Sequence, residues 1–231
     1  MKKLIFIHGS GNTSMVWEYQ IQHFPGAEAI NLPGHLSPGE PCTSIEDYVT
    51  WLHCHILEQG YSAPVLAGHS LGGAIVQMYA LQHLDDIKAI ILAGTGARLR
   101  VAPQYLSSIQ DGIEKPASWV QNFVEPQYSH IEPELRKKLL DATIKVGAKV
   151  QLNDFLCCDK FDILEKVYQI KVPTLVLCGS EDVMTPPKYG SYLATRIEGA
   201  KLIVVDGGTH YFFVEKPEVV NQAIEQFLHG L

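Results

Sequence analysis

Six short apolar runs recur along the chain and dominate its hydrophobic pattern. They lie at Leu4–His8, Ala29–Leu32, Pro64–His69, Ile87–Ala93, Thr174–Gly179 and Lys201–Val205. Several consist of valine, isoleucine and leucine without alternating polar residues, which is typical of strands that are buried on both faces. The pattern therefore predicts six strands in a mostly parallel sheet that is covered by helices.

Helical periodicity fills the intervals between these runs. It covers Met15–Phe24, Ile45–Gln59, Leu71–Leu84, Pro187–Ile197 and Pro217–Leu228. Thr43 and Glu46 have the spacing of a capping box at the start of the second helix, and the third helix is predicted to be amphipathic. Strands that alternate with helices predict an α/β fold with a doubly wound, mostly parallel six-stranded sheet.

Residues 98–171 interrupt the alternation, because they hold no convincing strand pattern. Prolines separate the short helical patterns of this stretch at Pro103, Pro116, Pro126 and Pro133. Since long unstructured loops are uncommon in compact domains, we interpret the stretch as a helical cap inserted after the fourth strand. The predicted organisation is one α/β core made of residues 1–97 and 172–231, with residues 98–171 as the cap.

Composition narrows the classes of function. The chain has 231 residues, of which 46% are hydrophobic and 19% charged, and its formal net charge is −7. These values predict a folded domain, and the acidic balance argues against a nucleic-acid partner. No apolar run approaches the roughly 20 residues of a membrane-spanning helix. The five cysteines show no C-x-x-C spacing, which favours a reducing cytoplasm over a disulfide-stabilised domain.

The sharpest chemical signal is Gly68-His69-Ser70-Leu71-Gly72, which matches the G-x-S-x-G pattern of a nucleophile elbow. A serine at a tight turn from strand to helix is pushed out toward a substrate, and small residues two positions away allow the strained backbone to pack. The first N–H groups of the following helix favour developing negative charge at the same place. The alternative is a plain glycine-rich turn, but the predicted strand and helix on either side favour the elbow.

A second glycine-containing loop, Ile7-His8-Gly9-Ser10-Gly11, ends the first predicted strand. Its backbone N–H groups are placed to help form an oxyanion hole. A dinucleotide-binding G-x-G-x-x-G loop is the rival interpretation. It fails because the third glycine position holds Ser14 and because the second strand ends at Asn31 rather than at an acid. We therefore expect no nucleotide cofactor.

Candidate acids and a candidate base follow the last two predicted strands. Glu181 and Asp182 come directly after the fifth strand, where either carboxylate could orient a histidine. His210 lies in a glycine-rich loop after the sixth strand, and histidine is the side chain that best suits proton transfer near neutral pH. The chain order of Ser70, the acid and His210 is the order expected of α/β-hydrolases.

Together these motifs resemble the α/β-hydrolase superfamily, in its single-domain, capped, esterase-like branch. The resemblance spans nearly the whole chain and rests on His8-Gly9 with Trp17, Asn31–His35, Gly68–Gly73, Gly179–Asp182, Gly208–His210 and Glu215–Glu218. It implies that Ser70 is the nucleophile, His210 the base and Asp182 the acid. It also implies that the backbone N–H groups of Ser10 and Leu71 form the oxyanion hole.

Two features depart from the usual pattern of this superfamily. The sequence begins on the His-Gly strand, without the two strands that usually precede it, so we expect a sheet of six parallel strands. The loop after the second strand has Asn31 where an acid is usual and Leu36 where the last glycine is usual. These positions shape the scaffold, so they bear on the subfamily more than on the mechanism.

Two further groups of residues need an interpretation. His53-Cys54-His55 resembles a set of metal ligands, but adjacent residues of a helix point about 100° apart and helical ligands lie three or four positions apart. We therefore expect no metal. Most aromatic residues of the predicted cap should form its own core, whereas Trp119 and Phe123 are predicted to line an apolar acyl pocket.

The sequence thus predicts a serine hydrolase that cleaves a carboxylic ester or thioester of a small to medium apolar acyl group through an acyl-enzyme. No metal or organic cofactor is required, and the expected partner is a small-molecule substrate. Two alternatives stay open. The same triad can serve C–C bond hydrolysis, lyase chemistry or acyl transfer. The scaffold can also carry a non-catalytic ligand-binding protein, although such a protein has no need of three intact triad positions.

Overall fold

The computed structural model describes residues 3–231, which are arranged around one six-stranded sheet. Its strands are β1 (Leu4–Ile7), β2 (Glu28–Ile30), β3 (Val65–His69), β4 (Ala89–Ala93), β5 (Thr174–Gly179) and β6 (Lys201–Val205). Their order across the sheet is β2-β1-β3-β4-β5-β6, and every neighbouring pair is parallel. The predicted α/β fold with six parallel strands is confirmed.

The central strands owe their unbroken apolar sequences to burial on both faces. Every residue of β1, β3, β4 and β5 is buried, whereas the edge strands β2 and β6 are partly exposed. Side chains of β1 alternate between two cores: Ile5 and Ile7 pack into one, while Leu4 and Phe6 pack into the other. Because these strands present no polar face, helices cover the sheet on both sides.

The α-helices of residues 3–231 lie between the strands or after the last strand along the chain. They are α1 (Glu18–His23), α2 (Ile45–Glu58), α3 (Leu71–Gln82), α4 (Pro103–Glu114), α5 (Pro116–Trp119), α6 (Glu125–Gln127), α7 (Pro133–Val146), α8 (Ala148–Lys160), α9 (Pro187–Arg196), α10 (Phe212–Glu215) and α11 (Pro217–His229). Helices α2, α3 and α9 contribute to one core, and α1 and α11 to the other. None of the helices in residues 3–231 has the length and apolar character of a membrane span.

Two local predictions about helices were wrong. Helix α2 begins at Ile45, so its capping residue is Ser44 rather than Thr43. The Ser44 hydroxyl accepts a hydrogen bond from the Asp47 N–H at 3.0 Å. Helix α3 is buried around most of its surface rather than amphipathic. It follows a central strand and packs against β3, β4, α2 and α8, so little of it reaches solvent.

The chain between β4 and β5 is built mainly from helices. Residues 98–171 contain α4 to α8, and one isolated antiparallel bridge pairs Arg98 with Asp162. Proline begins α4, α5 and α7, where its missing N–H leaves no helical hydrogen bond unmade. Helix α8 packs against both α4 and the core helix α3, so the inserted segment is anchored next to the β3–α3 turn.

Candidate active site

The turn from β3 into α3 holds Ser70 in a strained backbone conformation. Its φ of 53° and ψ of −112° lie outside the regions that L-residues favour. Two hydrogen bonds maintain the turn: the Ser70 N–H donates to the Ala93 carbonyl at 3.0 Å, and the Thr95 hydroxyl donates to the Ser70 carbonyl at 2.9 Å. Ser70 is therefore presented at the carboxyl edge of the sheet.

Gly68 and Gly72 are required by the close approach of three backbone segments at this turn. A Cβ on Gly68 would clash with the carbonyl oxygen of Gly72, and a Cβ on Gly72 would clash with the carbonyl oxygen of Ile7. The two glycines thus allow α3 to begin directly against β1 and β3. This packing fixes the position of Ser70 at the end of β3.

His210 and Asp182 form a buried pair at the same edge of the sheet. His210 Nδ1 lies 2.8 Å from Asp182 Oδ2. The Thr185 hydroxyl also donates to Oδ2 at 2.7 Å, while the N–H groups of Met184 and Thr185 donate to Oδ1, each at 2.8 Å. Because the carboxylate only accepts, Nδ1 carries the proton, and the Nε2 lone pair of His210 is free to act as a base.

The pKa of Asp182 lies at about 2, below its ordinary value of 3.8. Burial acts to raise this pKa, but the charge of His210 and the hydrogen bonds from His210 and Thr185 outweigh it. Asp182 is therefore ionised at neutral pH. An ionised carboxylate can hold the imidazole in one tautomer and stabilise its protonated form.

This shift predicts a loss of stability in acid that depends on Asp182. A carboxyl group with a lowered folded-state pKa stabilises the fold above its unfolded-state pKa, about 4, and loses that contribution as the pH falls through about 2. Relative to Asp182→Asn, the wild-type unfolding free energy should fall by about 2 kcal/mol between about pH 5 and about pH 2. Denaturant unfolding of both proteins across this range measures the difference. A difference that does not change with pH would contradict the shift.

The two candidate acids, of which the resemblance favours Asp182, have different surroundings. The Asp182 carboxylate faces the His210 ring, and the N–H groups of Met184 and Thr185 hold it there. Glu181 is exposed, and its backbone N–H donates to the Gly208 carbonyl at 2.9 Å. No hydrogen bond of the described residues 3–231 joins the Glu181 side chain to His210, so Asp182 is the acid that the structure brings to the base.

His69, the residue before Ser70, connects the His210 loop to the β3–α3 turn. Its Nε2 donates to the His210 carbonyl at 3.0 Å, and the centres of the two rings lie 4.6 Å apart. Burial and the nearby charge of His210 lower the pKa of His69, so its ring is neutral. The buried Nδ1 of His69, which has no hydrogen-bond partner within the part of the chain that the structure describes, fits this tautomer. No sequence motif signals this contact, because it joins residues 141 positions apart.

Two backbone N–H groups beside Ser70 are free to bind an oxyanion. The Leu71 N–H is the first of α3, so it has no partner within the helix. The Ser10 N–H lies in a turn that a hydrogen bond from the Asn12 N–H to the Gly9 carbonyl closes at 3.2 Å. A Cβ on Gly9 would lie 3.1 Å from the Ser70 Cβ, so this turn passes directly beside Ser70. Within residues 3–231, neither N–H donates a hydrogen bond to a protein group.

Two adjacent cavities open at this edge of the sheet. The first has a volume of about 300 Å³ and is lined by Ser70; the second has a volume of about 410 Å³ and is lined by His210. They share Tyr105, Val183 and Met184, so Ser70 and His210 face one groove from two sides. Among the hydrogen bonds of residues 3–231, none joins Ser70 Oγ to the His210 ring. Such bonds are often long without substrate and shorten when it binds.

The two predicted pocket residues lie in different places. Phe123 lines the second cavity. Trp119 lines neither cavity, because its indole N–H donates to the Gln151 side chain at 2.8 Å and its ring packs over Gly112. The structure thus corrects the prediction for Trp119, which belongs to the core of the inserted segment.

The first cavity combines an apolar lining with two cationic side chains that sequence reasoning missed. Its apolar residues include Leu99, Val101 and Phe155, and the exposed cations are Arg100 and Lys188. Among the described residues 3–231, none with a carboxylate side chain lines this cavity. The sequence carries no signal for the two cations, because they lie in separate segments that only the fold brings together.

The described residues 3–231 offer one group of three side chains that could share a metal ion. It consists of His53, His83 and Asp86, whose ligand atoms all lie within 4.8 Å of one another, and none of these residues lines either cavity. The run His53–His55 does not converge: Cys54 is exposed, and the His55 ring stacks on another aromatic ring. The groove beside Ser70 therefore has no metal-ligand set of its own within residues 3–231.

Comparison with known proteins adds a family assignment and relatives of known activity. The model of a family described as "Alpha/beta hydrolase family" matches residues 4–223. The pimeloyl-[acyl-carrier protein] methyl ester esterase of Neisseria meningitidis serogroup A is 27% identical over 250 residues, which cover 100% of this chain and 78% of that protein. The (E)-2-((N-methylformamido)methylene)succinate hydrolase of Acinetobacter baylyi is 25% identical, with 97% of this chain and 89% of that protein covered.

A solved structure of a thermophilic esterase is similar over the whole chain. The two share 32% sequence identity with a TM-score of 0.86, and the match covers 100% of this chain and 90% of that one. The sheet and the flanking helices are therefore those of a known esterase scaffold.

Proposed function

The chain belongs to the α/β-hydrolase family, and from this premise we propose that it is a serine hydrolase that cleaves a carboxylic ester or thioester through an acyl-enzyme. The observation that carries the proposal is the strained Ser70 at the β3–α3 turn, beside the same groove as the buried Asp182–His210 pair. The relatives named above are esterases and a hydrolase, which supports ester hydrolysis as the reaction class.

The proposed mechanism uses each residue for one task. His210 Nε2 takes the proton of Ser70 as Oγ attacks the substrate carbonyl, and Asp182 stabilises the imidazolium that forms. The N–H groups of Leu71 and Ser10 bind the oxyanion of the tetrahedral intermediate. One such donor contributes about 3 kcal/mol, or roughly a hundredfold in rate. The alcohol or thiol leaves with the proton from His210, and water then cleaves the acyl-enzyme with the same base.

We assign the inserted residues 98–171 to a cap that shapes the acyl site. Phe155 on α8 and Tyr105 on α4 line the first cavity, and Phe123 lines the second. A groove of this size with mainly apolar walls suits a small or medium acyl group.

The cations of the first cavity predict a preference for esters that carry a second, anionic group. One relative acts on a succinate derivative, and succinates are carboxylates. We expect kcat/KM for monomethyl glutarate to exceed that for neutral dimethyl glutarate by about fivefold. This factor is small because the ion pairs of the substrate carboxylate with Arg100 and Lys188 would be exposed and would each contribute under about 1 kcal/mol. The double variant Arg100→Gln/Lys188→Gln should lose this preference. The control variant Arg196→Gln should keep it, because Arg196 lines neither cavity. A preference that survives in the double variant would contradict this assignment.

A panel of substrates tests the proposed reaction. Short and long p-nitrophenyl esters and acyl thioesters should be turned over, and a fluorophosphonate should label the protein and stop turnover. Failure on every substrate, with Ser70 still labelled, would favour C–C bond hydrolysis, lyase chemistry or acyl transfer. Tight ligand binding without any turnover, and unaffected by Ser70→Ala, would favour a binding protein.

A further inference from the structure

A buried carboxylate outside the proposed triad connects the inserted helices to the loop that follows β1. Asp154 lies on α8, and its side chain is fully buried. Its Oδ2 accepts a hydrogen bond from the Gly11 N–H at 2.8 Å and lies 2.7 Å from His35 Nε2. Its Oδ1 accepts from the Tyr48 hydroxyl at 2.9 Å. One side chain thus joins α8 to three separate parts of the core.

The hydrogen bonds of His35 define the charge of this cluster. Its Nδ1 lies 3.0 Å from the Pro33 carbonyl, which only accepts, and its Nε2 faces the Asp154 carboxylate. Both ring nitrogens therefore face oxygen acceptors, an arrangement that favours the imidazolium form of His35 beside the Asp154 side chain. Burial acts to lower the pKa of His35, but the charge and hydrogen bonds of Asp154 outweigh burial and raise it. A buried carboxylate of this kind is stable only while it is paired.

The neighbouring histidine, His8, is neutral, so the positive charge of the pair lies on His35. The His8 ring lies 4.8 Å from the His35 ring, centre to centre. His8 Nε2 accepts from the Leu32 N–H at 3.1 Å, so the His8 proton is on Nδ1, which donates to the Gly9 carbonyl at 2.9 Å. Burial and the charge of His35 lower the pKa of His8, which keeps it neutral.

Helix α8 contacts Ser10 and Gly11, the two central residues of the turn from Gly9 to Asn12 beside Ser70. Gly11 has a φ of 67°, and a Cβ there would lie 2.7 Å from the Gln151 side chain. One turn beyond Asp154 along α8, Cys158 Sγ lies 3.6 Å from Ser10 Oγ. The Ser10–Gly11 peptide is the central peptide of this turn, and its rotation interconverts turn types. The Asp154 carboxylate accepts a hydrogen bond from the N–H of that peptide and therefore fixes the orientation of the peptide.

We propose that Asp154 is a positioning residue for the oxyanion hole, which holds the Ser10 backbone in place through the N–H of Gly11. The inference rests on the proposed function, because it takes the Ser10 N–H as an oxyanion donor. Its consequence is that the cap sets the reaction rate as well as the shape of the groove. A displacement of α8 would release the turn beside Ser70.

Asp154→Asn tests this role, because asparagine keeps the shape but loses the charge and one acceptor. We expect kcat per active site, counted by fluorophosphonate titration, to fall about tenfold, less than the roughly hundredfold loss of a whole donor. KM should change less than twofold. The affinity for a trifluoromethyl ketone should fall by the same factor as kcat, because its adduct with Ser70 places an oxyanion in the hole.

Tyr48→Phe is the matched control, since it removes a hydrogen bond from the same carboxylate but leaves the Gly11 contact. Its kcat should fall less than twofold even where its melting temperature falls. If Asp154→Asn does not fold, His35→Gln/Asp154→Asn removes both buried charges and should show the tenfold loss.

The possible outcomes separate the positioning role of Asp154 from the proposed function. An unchanged kcat in the Asp154 variants, or equal kcat losses in Asp154→Asn and Tyr48→Phe, would overturn the positioning role and leave the proposed function standing. A parallel loss of kcat and ketone affinity in Asp154→Asn alone would support it. Full turnover by Ser70→Ala would overturn the proposed function itself.

Discussion

Replacing Ser70 with alanine is expected to lower esterase activity by at least about 10⁴-fold, because no other group in the proposed mechanism can form the acyl-enzyme. The fold should survive. The Ser70 backbone is held by hydrogen bonds from its own N–H and to its carbonyl, and both remain in the variant. Alanine also tolerates the φ of 53° no worse than serine does.

Labelling with a fluorophosphonate and the melting temperature measure the two parts of this prediction. The wild type should be labelled, and Ser70→Ala should melt at the same temperature without being labelled. Ser10→Ala is the matched control, since Ser10 lines the same cavity but is assigned only through its backbone N–H. That variant should keep most of its activity and its label. Equal labelling of Ser70→Ala and the wild type would refute the assignment of the nucleophile.

Replacing Asp182 with asparagine is expected to lower kcat by about 10³-fold to 10⁴-fold. The amide would present either an N–H₂ group or an uncharged oxygen to His210 Nδ1, where the carboxylate now lies at 2.8 Å. The ring would then lose its orienting charge, and the tautomer with a free Nε2 would no longer be favoured. KM should change little, because Asp182 lines neither cavity.

Glu181→Gln is the control for this experiment, because Glu181 is the adjacent acid and was the alternative on the residues alone. Its side chain is exposed and should contribute less than threefold to kcat. Steady-state kinetics of the two variants on one p-nitrophenyl ester decide between the acids. A larger loss in Glu181→Gln than in Asp182→Asn would reverse the assignment of the acid.

The features of the fold and the site that could be predicted from the sequence are those determined by residues close together in the chain. Solid apolar runs indicate doubly buried strands, and β3, β4 and β5 lie at or within the predicted spans. The spacing of Gly68, Ser70 and Gly72 indicates a tight turn within five consecutive residues, in which a Cβ on Gly68 would clash with the Gly72 carbonyl. Because all the strands are parallel, the carboxyl ends of β3, β5 and β6 lie at the same edge of the sheet.

The parts that could not be predicted depend on contacts between distant residues. The residues alone left Glu181 and Asp182 open, and only the resemblance favoured Asp182, because the contact that distinguishes them joins the Asp182 carboxylate to His210, 28 positions further along the chain. Trp119 is held in the inserted segment by Gln151, and no pattern in the sequence links the two. Asp154 meets Gly11 across 143 positions of chain, and nothing in its local sequence distinguishes it from a surface acid.

The structure of a trapped adduct tests the central claim most directly. A crystal structure after reaction with a trifluoromethyl ketone should show a covalent bond from Ser70 Oγ. Its oxyanion should lie about 3 Å from the N–H groups of both Ser10 and Leu71, with His210 Nε2 within about 3.2 Å of Oγ. An adduct on another residue, or a His210 ring that stays beyond hydrogen-bond distance of the bound Ser70, would contradict the account.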